Sequence, residues 1–166
     1  MDTTFYILID MRVHSGKNRL FVWEFSKQQI VDSALVTHGC CDYTWAADYT
    51  RENPKFSNAV GSHCSAVGKY KIGERGPSSW GVGFKYLLLG LEKTNSLALE
   101  RNIVLHSWEE IPDHEIYPDG VPESWGCPAV SDNFMLRLDK MLKGRKAPVL
   151  LWIFHPNFVV RERISY

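Results

Sequence analysis

The chain of 166 residues has no apolar run near the roughly 20 that a helix needs to cross a bilayer, so no membrane span is expected. It has no excess of either charge. Lysine plus arginine and aspartate plus glutamate both number 19, which removes global steering toward nucleic acid or an anionic membrane and leaves binding to local features. No low-complexity tract and no fixed-period repeat is present, which excludes solenoids and disordered linkers. Cysteine is scarce, with only Cys40, Cys41, Cys64 and Cys127, and no Cys-x-x-Cys. His38, Cys40, Cys41, His63 and Cys64 fall in adjacent positions rather than at zinc-ligand spacing, so no metal site is expected. Met1-Asp2-Thr3-Thr4 lacks the basic start, long apolar run and cleavage site of a secretory signal. A trimmed form, another export route and residence in the cytoplasm all stay open.

What is present is strand signal. The length suits one domain over residues 1–166, long enough to bury a core without staples. Phe5 to Ile9 and Leu20 to Phe25 are short apolar runs around a His14-to-Asn18 turn, which predicts a hairpin; Gln29 to Thr37 continues it and ends at His38-Gly39. Residues 40 to 68 are polar, aromatic and irregular, and Ser57, Asn58, Ser62 and Ser65 there read first as turn chemistry. Lys69 to Gly73 alternates as a strand, Gly73 to Gly81 reads as a glycine-rich flap, and Val82 to Leu89 reads as a strand in which Tyr86 is first of all core. Asn95 to Arg101 predicts a short helix capped by Thr94 or Asn95, and Ser131 predicts the cap of a second over Asp132 to Leu142, stopped by Gly144. Pro148 to Phe154 is a last strand, followed by the tail Arg161-Glu162-Arg163. These elements predict a mainly β architecture, a small sandwich or barrel-like sheet pair with two short helices.

Chemistry concentrates at Ser124-Trp125-Gly126-Cys127-Pro128-Ala129-Val130, a thiol directly behind a glycine. A thiol attacks as its thiolate and needs a base or aligned dipoles. His106, ending the apolar run Ile103-Val104-Leu105 with twenty residues between it and Cys127, is the candidate base. Gly126 admits close backbone approach, and the N–H groups of Gly126 and Cys127, with that of Trp125, are candidate oxyanion donors. The plainer readings are a packed cysteine and a satisfied core histidine. Asp113, Glu115, Asp119 and Glu123 form an acidic stretch that reads as a solvated loop, one of whose carboxylates would meet a cationic amine. The helix after Ser131 starts close enough to Cys127 for its positive end to favour the thiolate if the turn folds back. With Cys127 free, three cysteines remain, and Cys64 pairs with Cys40 or Cys41 if any disulfide forms.

His106-Ser107, a loop, and Ser124-Trp125-Gly126-Cys127 resemble the signature of the YkuD-type murein L,D-transpeptidase catalytic domain, in the branch with Cys-Pro-Ala-Val. His38-Gly39, Phe56-Ser57-Asn58, Gly61-Ser62, Ser65 to Tyr70 and Gly90-Leu91-Glu92 stand in the order of that branch. Two features depart from the wider family: Trp125 replaces a second histidine, and Ala129-Val130 replaces an arginine or asparagine. The resemblance implies that family's fold, with Cys127 as nucleophile, His106 as base and Ser107 orienting the imidazole through its carbonyl. It places Ser124, Tyr86, Asn58, Ser62 and Trp80 near substrate. It implies a peptidoglycan stem peptide cut through an acyl-thioester, acylation by carbapenems, an envelope or periplasmic location, and neither metal nor organic cofactor. The rivals are an L,D-carboxypeptidase or endopeptidase on the same site, and a non-catalytic wall-binding domain. Nothing in the sequence specifies an oligomeric state.

Overall fold

A computed structural model describes residues 1–158, so the tail Arg161-Glu162-Arg163 lies outside the described residues. The hairpin forms where the sequence alternates: β1 (Phe5–Asp10) turns its odd residues Phe5, Ile7 and Ile9 into the core and pairs antiparallel with β2 (Leu20–Glu24). β3 (Gln29–Ala34) adds to β2 with a register shift at Val22/Trp23. β4 (Gly68–Pro77), β5 (Phe84–Gly90), β6 (Val104–Ser107), β7 (Ala129–Val130) and β8 (Leu150–Phe154) complete one sheet in the order β3-β2-β1-β8-β4-β5-β6-β7. β8 is the splice, parallel to β1 and antiparallel to β4.

The sheet curls until its two edges nearly meet. Beyond β3 the chain runs on past the sheet edge, where the Thr37 N–H donates to the Ala129 carbonyl at 3.0 Å. The Ser124 N–H donates to the His38 carbonyl at 2.9 Å, and the Cys40 N–H to the Ser124 carbonyl at 2.8 Å. This seam makes the sheet almost a barrel, in agreement with the expected mainly β, barrel-like fold. The core inside holds Phe5, Ile7, Leu20, Tyr70, Leu88 and Leu151, each stabilising the fold by about 1.5–3 kcal/mol on burial. One α-helix, α1 (Asp132–Leu142), packs Phe134, Met135, Leu138 and Leu142 into it. Ser131 caps it by accepting from the Phe134 N–H at 3.2 Å, and Gly144 follows its end at φ +78°.

Two expectations need correction. The helix expected over residues 95–101 is a single 3-10 turn, Lys93–Asn95, followed by further turns. Asn95 is the reason: its carboxamide accepts from the Glu92 N–H at 2.9 Å and donates to the Lys69 carbonyl at 2.8 Å, competing with helical backbone bonding. Among the described residues there is therefore one α-helix, not two. The expected flap from Gly73 to Gly81 is strand as far as Pro77, paired Arg75↔Tyr86, Gly76↔Lys85 and Pro77↔Phe84 after an irregularity at Ile72/Arg75. Gly73 sits in that irregularity, with Leu87 and Leu89 packed closely over it. Only the segment between Pro77 and Phe84 turns.

Cys41 and Cys64 form a disulfide, leaving Cys40 and Cys127 free. It ties the two ends of the irregular segment to each other, where the Cys41 N–H also donates to the His63 carbonyl at 3.3 Å. Among the described residues no helix is long and apolar enough to cross a membrane.

Candidate active site

The seam that closes the sheet also builds the turn carrying Cys127. Thr37 Oγ1 donates to the Cys127 carbonyl at 2.8 Å and accepts from the Ala129 N–H at 2.9 Å. Ser124 Oγ donates to the Cys127 carbonyl at 2.7 Å and accepts from the Gly126 N–H at 3.1 Å. Ser65 Oγ donates to the Gly126 carbonyl at 3.1 Å. Three hydroxyls thus fix the turn from its concave side. Gly126 is required here: at φ +107° any side chain is strained, and a Cβ would stand 2.6 Å from the Cys64 carbonyl oxygen. Its smallness therefore serves the packing of residue 64. Its N–H is committed to Ser124, which corrects its expected place as an oxyanion donor. The N–H groups of Trp125 and Cys127 have no protein acceptor among the described residues and remain available for that task.

Behind the turn lies a buried polar chain. Arg19, His38 and Glu123 are all completely buried. Arginine only donates, so His38 Nδ1, 2.8 Å from Arg19 Nη2, is the acceptor and the Nε2 carries the ring proton. That proton points to Thr50 Oγ1 at 2.7 Å, and Thr50 donates onward to Glu123 Oε1 at 2.8 Å through its hydroxyl and at 2.5 Å through its N–H. Burial keeps His38 neutral, lowering its pKa against the pull of the Glu123 carboxylate. Burial also opposes ionisation of Glu123, but the His38 imidazole, its Nε2 3.6 Å away, and the two hydrogen bonds from Thr50 prevail and hold its pKa low. The solvated-loop reading of Glu123 is thus wrong: its carboxylate is the buried foot of the turn that carries Ser124 to Cys127. Of the other acidic residues, Asp113 accepts from Ser131 and Asn133 at the start of α1, and Glu115 accepts from the Asn18 N–H at 2.9 Å.

His106 sits on β6, and its Nδ1 is 2.8 Å from the Ser107 carbonyl. A carbonyl only accepts, so Nδ1 carries the proton and Nε2, with no partner among the described residues, is the basic nitrogen. Burial lowers the imidazole pKa, the Ser107 bond opposes that, and the Lys85 charge adds to it. The imidazole is therefore neutral at neutral pH. Cys127 is part-buried, and its sulfur accepts from the Val104 N–H at 3.4 Å and faces the Asn102 carbonyl at 3.5 Å. Burial raises the thiol pKa, with the Val104 N–H, Lys85 and Arg101 pulling it down. The resting pair is therefore thiol and imidazole rather than an ion pair. The N-terminus of α1 is capped by Ser131, which also bonds Asp113, while the thiol faces residues 102–104.

His106, Cys127 and Ser124 line one cavity of about 120 Å³, walled by Trp45, Trp80, Trp108 and Trp125. Trp45 stacks on Trp108 with centroids 5.3 Å apart and touches Trp80 and Trp125 at 6.0 Å each. Of the substrate contacts expected from the sequence, Ser124 and Trp80 are here, as is the Trp125 side chain. Three others are elsewhere. Tyr86 points to the core side and donates to Asp139 at 2.6 Å. Asn58 bonds Lys93, Ser96 and Leu97, and Ser62 accepts from Arg101 and the Cys64 N–H. These bonds consume their polar atoms as local braces. Trp45, Trp108, Thr37 and Arg19 are the residues sequence reading misses. Their only signals were an aromatic in an irregular segment, a tryptophan just after His106-Ser107, and an arginine entering an apolar strand.

Among solved structures, the helical cell shape determining protein Pgp2 of Campylobacter jejuni aligns over 90% of this chain and 47% of its own, at TM-score 0.56 and 13% identity. The Ldtfm enzyme, solved as its avibactam carbamoyl form, aligns over 93% of this chain and 50% of its own, at TM-score 0.52 and 11% identity. At such identities these likenesses speak for the fold. The chain spans about half the length of either protein. Among curated proteins none matches in sequence. The model of one family, the L,D-transpeptidase catalytic domain, matches residues 1–152. With nearly the whole chain inside that match, this protein belongs to the L,D-transpeptidase catalytic domain family.

Proposed function

We propose that the chain is a cysteine-dependent L,D-transpeptidase of the bacterial cell envelope, acting on peptidoglycan stem peptides through an acyl-thioester on Cys127. The observation that carries the reading is that His106, with Nε2 as its free basic nitrogen, and Cys127 line the same cavity. His106 Nε2 takes the Sγ proton as sulfur bonds to the scissile carbonyl carbon, whose oxygen becomes the oxyanion facing the Trp125 and Cys127 N–H groups. On collapse the C–N bond breaks, the Nε2 proton passes to the departing amine, and the acyl group stays on sulfur. An acceptor amine then attacks the thioester, gives its proton to Nε2, and sulfur leaves to recover that proton as the thiol. The indole walls offer an apolar bed for the acceptor beside the thioester, which favours its amine over water.

Incubation with a defined disaccharide-tetrapeptide, with products read by mass spectrometry, tests the proposal. The expected product is a cross-linked dimer lighter by one released D-residue. Release of the D-residue without a dimer would make the protein an L,D-carboxypeptidase or endopeptidase. An unchanged muropeptide would leave the wall-binding alternative.

A further inference from the structure

Strand register places a cation beside the base. Across β4, β5, β6 and β7 the paired residues are Gly76↔Lys85, Lys85↔His106 and His106↔Ala129, one row running through the imidazole. Residues directly opposed in a sheet share a face, with Cβ atoms about 5 Å apart. Phe84, Tyr86 and Leu88 take the core side of β5, so Lys85 projects with His106 on the other. Gly76 adds no bulk on the far side, and a Cβ there would meet nothing within 4 Å.

Neighbouring arginines are committed. Arg75 is paired with Asp139 at 2.8 Å, and Arg101 donates to the Ser57 and Cys64 carbonyls and to Ser62. Lys85 has no ion pair and no hydrogen bond among the described residues. Its charge makes His106 a poorer base. An unpaired ammonium beside a group that must accept a proton is a handicap unless the complex supplies an anion.

The reaction brings one. His106 hands its proton to the amine of the departing residue, and the α-carboxylate carbon of that residue lies about 2.5 Å from that amine. Lys85, set opposite His106 by strand register, carries a side chain long enough to cross one strand spacing. We propose that Lys85 is a specificity-determining residue whose ammonium binds the free α-carboxylate of the departing residue, so that peptides ending one residue past the scissile carbonyl are selected. This rests on His106 and Cys127 being the reacting pair.

The test uses a stem tetrapeptide ending in D-alanine and the same peptide as its C-terminal amide. Binding is measured by calorimetry in the full chain carrying Cys127→Ala, where no turnover intervenes. The acid is expected to bind roughly tenfold or more tighter than the amide, a charge-assisted bond being lost in the latter. Adding Lys85→Met should erase that ratio by weakening the acid alone, and Lys85→Arg should retain most of it. In the active chain Lys85→Met should raise KM for the acid with kcat less affected. Equal weakening of acid and amide by Lys85→Met, an undiminished ratio, or binding of neither peptide would overturn the assignment. If Cys127 proves unreactive, turnover vanishes for every variant and the proposed function fails, while the calorimetric ratio still decides the role of Lys85.

Discussion

His106→Ala is expected to slow acylation of Cys127 at pH 7 by about 10²- to 10⁴-fold, the range for loss of a general base. The pH profile should change as well. Burial and the nearby Lys85 charge hold the wild-type imidazole pKa below its ordinary value of about 6.5. The base is thus protonated only at lower pH, and the wild-type rate should climb through that low-pH region and be flat from pH 7 upward. Without the imidazole, the rate should follow the thiolate fraction. Burial raises the Cys127 pKa, so that fraction grows about tenfold per pH unit across pH 7 to 8. Stopped-flow acylation rates on both proteins across this range measure the contrast. A wild-type rate that also rises tenfold per unit above pH 7 would mean that His106 does not take the thiol proton.

The second large effect concerns stability. Glu123→Gln removes the anion at one end of the buried Arg19–His38–Thr50–Glu123 chain and leaves the fully buried Arg19 guanidinium with less compensation. Breaking a directly paired buried charge costs about 3–5 kcal/mol, and with His38 and Thr50 between the two charges the loss here is expected at the lower end, about 3 kcal/mol. For a protein of this size that lowers Tm by on the order of 10 °C. Arg19→Met alone should also destabilise, because His38 Nδ1 and the Val36 carbonyl, which accepts from Arg19 at 2.7 Å, each lose a donor and the Glu123 carboxylate loses a buried cation. The double variant should be distinctly less destabilised than the sum of the two. Denaturant unfolding of the four proteins measures this, and additive effects would show that the two charges do not communicate through His38 and Thr50.

These two results divide what the sequence discloses from what it withholds. The β1–β2 hairpin, the β8 strand and α1 with its Ser131 cap were legible because alternation, apolar runs and capping are local. His106-Ser107 and the Cys127 turn were legible as a motif whose spacing allows contact. Asn95 misled because its side chain bonds a strand 26 residues away, which no helix pattern records. Glu123 misled for a similar reason: among Asp113, Glu115 and Asp119 it looks solvated, and only the Thr50 and His38 donors, 73 and 85 positions upstream, explain its burial. Tyr86, Asn58 and Ser62 were drawn toward substrate by resemblance, but hydrogen bonding to Asp139, Lys93 and Arg101 consumes them. Lys85 drew no notice as one lysine in an apolar strand. Register with His106, a property of the sheet, is what makes it stand out.

Closure of the sheet at Thr37, His38 and Ser124 sets a neutral imidazole and a thiol on one cavity, and the proposed chemistry requires that thiol to react. Intact-mass analysis after exposure to a carbapenem, with the adduct located by peptide mapping, tests it most directly. One adduct per chain is expected, on the peptide containing Cys127, fast in the wild type, slow in His106→Ala and absent in Cys127→Ala. An adduct that persists in Cys127→Ala, or that maps to Cys40, would contradict it.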